Sequence, residues 1–253
     1  MTFTTRPELK GTFGVVASTH WIASAVGMRL LEAGGNAFDA AAGTGFALQV
    51  VEPHLNGPLG DMPALIRPAG AEAPTVVCGQ GPAPARATIA HYRGEGLDLV
   101  PGSGLLATVV PGAFDAWMLI LRDHGRLPLR AILEPAIHYA RHGHPVLARV
   151  AAEIAELAEF FRDEWPTSFE TWCPGGHAPA PNTLFRNPAL ADTWERILAE
   201  AEAASTGRET QIEAARRAFS QGIVAEAIDA WLREACVMDA TGAVLIPPFD
   251  HED

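Results

Sequence analysis

Residues 34–41 of this chain read GGNAFDAA and join the end of one helix directly to the beginning of the next. Apolar residues recur at helical spacing from Ile22 to Leu30, so the first helix should end at the paired glycines, which readily adopt the left-handed conformation of a helix cap. Asn36 can then cap the second helix through its side-chain oxygen, and the charge of Asp39 suits the positive N-terminal end of that helix. The stretch therefore predicts two helices with no loop between them.

The second helix should run over residues 38–51, where Asp39 is the only charged residue. A helix with so little polar surface has to be buried between other layers of the fold. Its small residues, from Ala40 to Gly45, would let a neighbouring backbone approach closely. We therefore expect this helix at the centre of the packing.

A loop of residues 52–61, EPHLNGPLGD, follows this helix and precedes a strand. Polar side chains and glycines where two buried elements meet are typical of a functional site, which makes Glu52, His54, Asn56 and Asp61 candidates for a pocket loop. In the alternative, Glu52 and His54 only hydrogen-bond the backbone at the end of the helix. The residues alone leave both interpretations open.

The rest of the chain divides into a strand-containing part and a helical part. Residues 13–18, FGVVAS, predict a short buried strand, and residues 64–67 and 75–78 predict the two strands of a hairpin. After Pro111, apolar residues repeat at intervals that predict helices almost without interruption, over 113–124, 129–141, 147–161, 189–204, 210–219 and 223–235. We expect a single domain over residues 1–253, with the strands in 1–110 and helices throughout 111–253.

Composition narrows the class of partner and compartment. The chain has 253 residues, 48% of them hydrophobic, and a formal net charge of −12, which disfavours nucleic acid and anionic membranes as partners. No apolar run is long enough to span a bilayer. Cys78, Cys173 and Cys236 form no CxxC pair and no disulfide framework, which favours the reducing cytoplasm; a periplasmic or secreted protein stays open if a leader was removed. We expect Cys78 and Cys236 to be small buried hydrophobes.

The sequence predicts neither a metal nor a cofactor. His138 and His142 share a helix face and could reach one ion, but His144 follows the helix-ending Gly143, and no carboxylate or cysteine is placed to complete the set. A solvated helix end suits these cationic side chains equally well. The GxSxG elbow of serine esterases and the glycine-rich phosphate loop do not occur.

Several motifs, in order along almost the whole chain, are similar to those of the γ-glutamyltranspeptidase family. The amino-terminal signature of that family resembles GVVASTH at residues 14–20, GGNAFDAA at 34–41 and VVEPH at 50–54. The resemblance continues in VPGA at 110–113, GRLP at 125–128, LEPAI at 133–137, GHPV at 143–146, NPALA at 187–191 and FSQGIVAEAI at 219–228.

The resemblance implies an α+β fold of the four-layer αββα type found in N-terminal-nucleophile (Ntn) hydrolases. This chain would supply a few strands of the sheets and most of the outer helices. Family members are precursors that cut themselves, and the newly exposed threonine of the small subunit, activated by its own amine, attacks a γ-glutamyl amide. This chain resembles the large-subunit part, so we expect no catalytic residue in it. The nucleophile would come from a small subunit or C-terminal half, the isolated chain would be inactive, and it could form homo-oligomers.

One departure from the family bears on the substrate. In relatives with transpeptidase activity, an arginine shortly before an Ala-Pro-Ala-Ala-type segment pairs with the α-carboxylate of the γ-glutamyl group. The matching position here is Gln80, whose amide can donate a hydrogen bond but cannot form a charged, bidentate pair. Losing that pair in a buried pocket costs on the order of 2–3 kcal/mol. Either another cation, with Arg67 and Arg86 as candidates, replaces it, or the acyl group is not γ-glutamyl.

Two alternatives remain at this point. Gln80 is a substrate-binding residue, or it is a loop amide that satisfies nearby backbone. Likewise, the chain belongs to an amidohydrolase or acyltransferase that acts on γ-glutamyl or related acyl amides, or it is a non-catalytic binding or scaffold domain that retains the fold.

Overall fold

The structure is a computed structural model that describes residues 8–235 and 237–239. In that part of the chain it contains ten α-helices and four strands, with a short 3-10 turn at Leu105–Ala107. The helices are α1 Trp21–Glu32, α2 Ala37–Val51, α3 Ile89–Gly94, α4 Ala113–His124, α5 Leu129–His142, α6 Ala148–Glu164, α7 Pro166–Trp172, α8 Pro188–Ala204, α9 Arg208–Ser220 and α10 Ile223–Glu234. The strands are β1 Met62–Ile66, β2 Thr75–Gly79, β3 His144–Pro145 and β4 Leu184–Phe185. The predicted hairpin and the long predicted helices are confirmed.

The fused helix junction is confirmed in detail. Gly34 has a φ of 91°, and the amides of Gly34 and Gly35 donate to the carbonyls of Leu31 and Leu30, which is the Schellman arrangement for ending a helix. The side chain of Asn36 accepts the amides at the start of α2, while the carboxylate of Asp39 accepts the amide of Asn36 at 2.8 Å. The backbone hydrogen bonds at the end of α1 and the start of α2 are therefore completed within six residues.

Helix α2 lies at the centre of the packing, as its composition predicts. Phe46 is fully buried and meets the rings of Phe114 and Trp194 edge to face, with centroids 5.9 and 5.8 Å away. The small residues permit close contacts, because a Cβ on Gly43 would lie 2.2 Å from a methyl carbon of Leu30 on α1. The main hydrophobic core is thus built around α2 by α1, α4, α5, α8 and α9.

The β1–β2 hairpin has one covered face and one open face. The strands pair antiparallel, with Met62 opposite Gly79 and Ile66 opposite Thr75. Residues on one face pack on α4 in a small cluster that includes Met62. On the other face the directly paired Leu65 and Val76 are 73% and 69% exposed.

Two sequence predictions are wrong. Residues 13–18 do not form a buried strand: Phe13 is 68% exposed, Val15 is 58% exposed, and the described part of the chain places no strand beside them. An isolated extended segment cannot satisfy its backbone hydrogen bonds as a strand, whatever its composition. Cys78 is exposed rather than buried because it occupies the open face of β2, whereas Cys173 is buried; the prediction for Cys236 lies outside the described residues.

A second, smaller cluster is formed by α6, α7 and the two-residue strands β3 and β4. Strands this short carry no periodic signal, so the sequence did not predict them. Among the helices that the structure describes, none combines the length and apolarity needed to cross a bilayer.

Candidate functional site

Gln80 and Asp61 come together at the open end of the hairpin. Gln80 directly follows the last residue of β2, and Asp61 directly precedes the first residue of β1. Because Met62 pairs with Gly79 at the end of the ladder, Asp61 and Gln80 flank the last pair of the hairpin. Both residues are exposed, so this end of the hairpin presents a carboxylate and a neutral amide to its surroundings.

The backbone around Gln80 is held by a tight crossing of two segments. A Cβ on Gly81 would lie 1.4 Å from the carbonyl oxygen of Val110, and a Cβ on Gly112 would lie 2.5 Å from that of Gly79. The amide of Val110 donates to the carbonyl of Pro82 at 3.0 Å. Only glycine fits at these crossing points, so the position of the Gln80 backbone is set by its neighbours.

The side chain of Gln80 is free of the buried structure. Its oxygen accepts a weak hydrogen bond from the thiol of Cys78 at 3.7 Å, which is its one hydrogen bond within the described chain. A fixed backbone with an exposed side chain leaves the amide of Gln80 available to a ligand. The role of Gln80 in substrate binding stays a prediction.

The other end of the pocket loop is buried and internally satisfied. Glu52 is 4% exposed and caps the end of α2, and its carboxylate accepts a hydrogen bond from the hydroxyl of Thr19. The amide of the Asn56 side chain donates to the carbonyl of Glu52 at 3.2 Å. His54 is half-buried, and its Nδ1 has no hydrogen-bond partner among the described residues. The loop therefore separates Glu52, at the helix end, from Asp61, at the hairpin end.

The buried His20 lies close to Glu52, and the buried His144 lies close to His20; the sequence did not predict this cluster. Nδ1 of His20 accepts the amide of Ile22 at 3.1 Å and so caps α1. Burial lowers the pKa of His20, and the Glu52 carboxylate offsets part of that effect. Burial, with a smaller contribution from His20, lowers the pKa of His144 to about 4. His144 is therefore neutral at pH 7. The sequence signal for His20 was its place at the end of the motif GVVASTH at residues 14–20.

The two cations considered as substitutes for the missing arginine differ in position. Arg67 follows β1 at the turn end of the hairpin, six register steps from Gln80, which is about 20 Å along the strands. Its Nε donates to the carbonyl of Ala71 within that turn. Arg86 lies six residues after Gln80, in the segment that leads to α3, and is exposed. Arg67 is therefore too distant to act beside Gln80.

The structure separates His144 from His138 and His142. The rings of His138 and His142 lie 4.7 Å apart on α5, while His144 is buried beside Phe185 on β3 and β4. In residues 8–235 and 237–239, no three histidine, cysteine or acidic side chains are grouped as metal ligands would be.

Comparison with known proteins identifies the family. The family model described as Gamma-glutamyltranspeptidase matches residues 23–240. A glutathione hydrolase-like proenzyme from Bacillus subtilis is 34% identical over 86% of this chain and 38% of its own length. An oxamate amidohydrolase proenzyme from Klebsiella pneumoniae is 35% identical over 75% of this chain and 36% of its own length. The chain thus spans little more than a third of these relatives.

Solved structures of related proteins have the same fold as this chain. The structure of LmbA2991HD is 54% identical, has a TM-score of 0.95, and is matched over 99% of this chain and 43% of that one. The γ-glutamyltranspeptidase of Helicobacter pylori is 28% identical, has a TM-score of 0.79, and is matched over 98% of this chain and 64% of that one. The α+β fold class that the resemblance implies is confirmed. With a family match over residues 23–240 and a shared fold, the chain belongs to the γ-glutamyltranspeptidase family.

Proposed function

We propose that this chain is the large-subunit part of an amidohydrolase or acyltransferase, and that it forms one wall of the acyl pocket. The nucleophilic threonine would be supplied by the small-subunit part of the protein. The observation that carries this proposal is the family match over residues 23–240. The names of the relatives, which include a glutathione hydrolase, an oxamate amidohydrolase and acylases, share the cleavage of an acyl group from nitrogen.

The open face of the hairpin supports a partner in the rest of the protein. Leu65 and Val76 form a paired apolar surface on β1 and β2, and Phe13 and Val15 are exposed in a segment that has no strand partner among the described residues. A surface of this kind is more stable when covered. We propose that the small-subunit part packs on these exposed apolar residues, and that the isolated chain is inactive and self-associates.

Gln80 and Asp61 support an acyl group other than γ-glutamyl. A γ-glutamyl group carries an α-carboxylate, and Asp61 would repel that carboxylate while Gln80 could offer it one neutral hydrogen bond. Arg67 is too far away to compensate. We propose that the pocket accepts acyl groups without a carboxylate at this position, or with a cationic group that Asp61 can pair.

Kinetics of the complete protein test both parts of the proposal. The unmodified protein should hydrolyse neutral acyl anilides faster than γ-glutamyl anilide. Gln80→Arg should raise kcat/KM for γ-glutamyl anilide by about 30-fold or more, the equivalent of at least 2 kcal/mol. Gln221→Arg, which adds the same charge at an exposed position after α9, should change nothing. If Gln80→Arg leaves the kinetics unchanged, Gln80 lies outside the pocket.

A second measurement addresses the class of function. If no acyl anilide or amide is cleaved by the complete protein, the alternative of a non-catalytic scaffold is correct. If the purified 253-residue chain cleaves them alone, the nucleophile does not come from a partner.

The scattered cysteines, with Cys78 exposed as a free thiol, favour the cytoplasm as the compartment.

A further inference from the structure

An apolar cavity of about 510 Å³ lies between α8, α9 and α10 on one side and residues 58–59 and 105–111 on the other. Its volume falls within the roughly 300–1,000 Å³ of typical small-molecule pockets. Part of its lining comes from the pocket loop and from family motifs, such as Leu59, Pro111 and Phe219, but most of it comes from the helical half of the chain.

The floor of the cavity is rigid. Trp194 and Phe219 line it, and they are 1% and 6% exposed. The ring of Phe219 stacks on Phe114 with centroids 4.3 Å apart, and Trp194 meets Phe46 edge to face. Because these rings are held by the main core, a ligand would meet a preformed surface.

The rim of the cavity is apolar and open. Leu59, Val109 and Trp231 line it and are 48%, 38% and 42% exposed. Exposed apolar side chains gathered around a concave surface mark a binding site more often than the same residues scattered singly. The gradient from an exposed rim to a buried floor distinguishes this cavity from a flat docking face.

The charge of the cavity lining indicates which polar group a ligand would carry. Among the described residues that line the cavity, Arg196 is the only charged one, although the chain as a whole has a net charge of −12. No hydrogen bond or ion pair joins Arg196 to another residue in the described part of the chain, whereas the arginines at 130 and 141 on α5 are paired with acidic side chains of α8. An unpaired guanidinium at the edge of an apolar cavity suits a carboxylate with an aliphatic tail.

We propose that this cavity is a binding site for a medium-chain aliphatic carboxylate, with the tail over Trp194 and Phe219 and the carboxylate at Arg196. The site is independent of the acyl-amide reaction proposed above. It predicts affinity that grows with tail length and a separate, smaller contribution from charge.

A chain-length series tests the apolar part. Calorimetric titration of the complete protein with hexanoate, octanoate and decanoate should show binding that tightens about 15-fold for each two-carbon step, until the cavity is filled. Ala227, which lines the cavity from α10, is exposed, so Ala227→Phe should block binding without disturbing the core. Ala230→Phe, also exposed on α10 but outside the cavity, should bind as the unmodified chain does.

The charged part is tested with a matched pair of ligands and variants. Arg196→Gln should weaken decanoate binding about two- to fivefold and leave decanol binding unchanged. Arg217→Gln, at an exposed position of α9 away from the cavity, should affect neither ligand. Absence of decanoate binding, or binding that Ala227→Phe leaves intact, would overturn the proposal. Equal weakening of decanol by Arg196→Gln would overturn the role of Arg196.

Discussion

At the helix junction of residues 34–41 the polar side chains point into the protein, whereas at the end of the hairpin, around Gln80, they point out. Asp39 is fully buried, and its carboxylate accepts amides from Asn36, Arg126 and Leu127. Gln80 has a fixed backbone and an exposed side chain. Both stretches combine glycine with polar residues, so that combination alone does not distinguish a structural motif from a binding surface.

The pocket loop contains both kinds of residue. Glu52 belongs with the junction, since it is buried and receives a hydrogen bond from Thr19. Asp61 belongs with Gln80, since it is exposed at the same end of the hairpin. Exposure of the side chain, and not its chemical type, therefore separates the candidates for substrate contact from the residues that hold the fold.

The largest effect should come from Asp39→Ala. This change would leave three backbone amides without an acceptor in a buried site, at positions far apart in the chain. We expect the free energy of unfolding to fall by about 4 kcal/mol, measured by urea denaturation. Asp192→Ala removes a carboxylate that is 62% exposed and pairs with Arg141 on the surface, and it should cost less than about 1 kcal/mol. If both variants lose the same free energy of unfolding, buried and exposed carboxylates do not differ in their contribution to the fold.

A somewhat smaller effect should appear as a dependence of stability on pH. The pKa of His144 is lowered to about 4 in the folded protein, while a histidine in the unfolded chain titrates near its ordinary value of about 6.5. Between these values the unfolded state binds more protons, so stability should be full above about pH 6.5 and fall by roughly 3 kcal/mol as the pH drops to about 4.

His144→Gln should flatten this pH dependence, with a smaller slope remaining from His20, whose pKa is also lowered by burial. The control is His138→Gln, since His138 is exposed on α5 and should leave the pH dependence unchanged. Unfolding curves at a series of pH values measure both. A His144→Gln variant with an unaltered slope would show that His144 is not buried in neutral form.

The helices were predictable because their signals are local. Apolar spacing within each segment and helix-ending residues such as Gly125 and Gly143 bring the predicted bounds of α4 and α5 within one residue of the observed ones. The failure at residues 13–18 has the opposite cause, since a strand exists only when another strand lies beside it. Composition cannot report whether that neighbour is present.

The candidate site was predictable only in part, for the same reason. Gln80 was found by its place in a motif, but its position with Asp61 at one end of the hairpin depends on the register of the strands. The contact of Asp39 with the amide of Arg126 spans 87 residues, and no local pattern indicates it. The cluster of His20, Glu52 and His144 likewise depends on tertiary packing.

The smallest effect should come from Gln80→Ala, which removes an exposed side chain. If the side chain of Gln80 serves a ligand and not the fold, its removal should change the free energy of unfolding by less than about 0.5 kcal/mol. Gly81→Ala, one residue away, adds a single methyl group. Because that Cβ would lie 1.4 Å from the carbonyl oxygen of Val110, the two crossing segments must separate, at a cost of about 2 kcal/mol.

The two variants separate side-chain from backbone contributions at one point in the chain. Urea denaturation should give nearly the same midpoint for Gln80→Ala and the unmodified chain, and a lower midpoint for Gly81→Ala. If Gln80→Ala is as damaging as Gly81→Ala, the side chain supports the fold, and Gln80 belongs with Asp39 and Glu52. If instead Gly81→Ala is harmless, the crossing with Val110 does not hold Gln80 in position, and the argument that its backbone is fixed for binding fails.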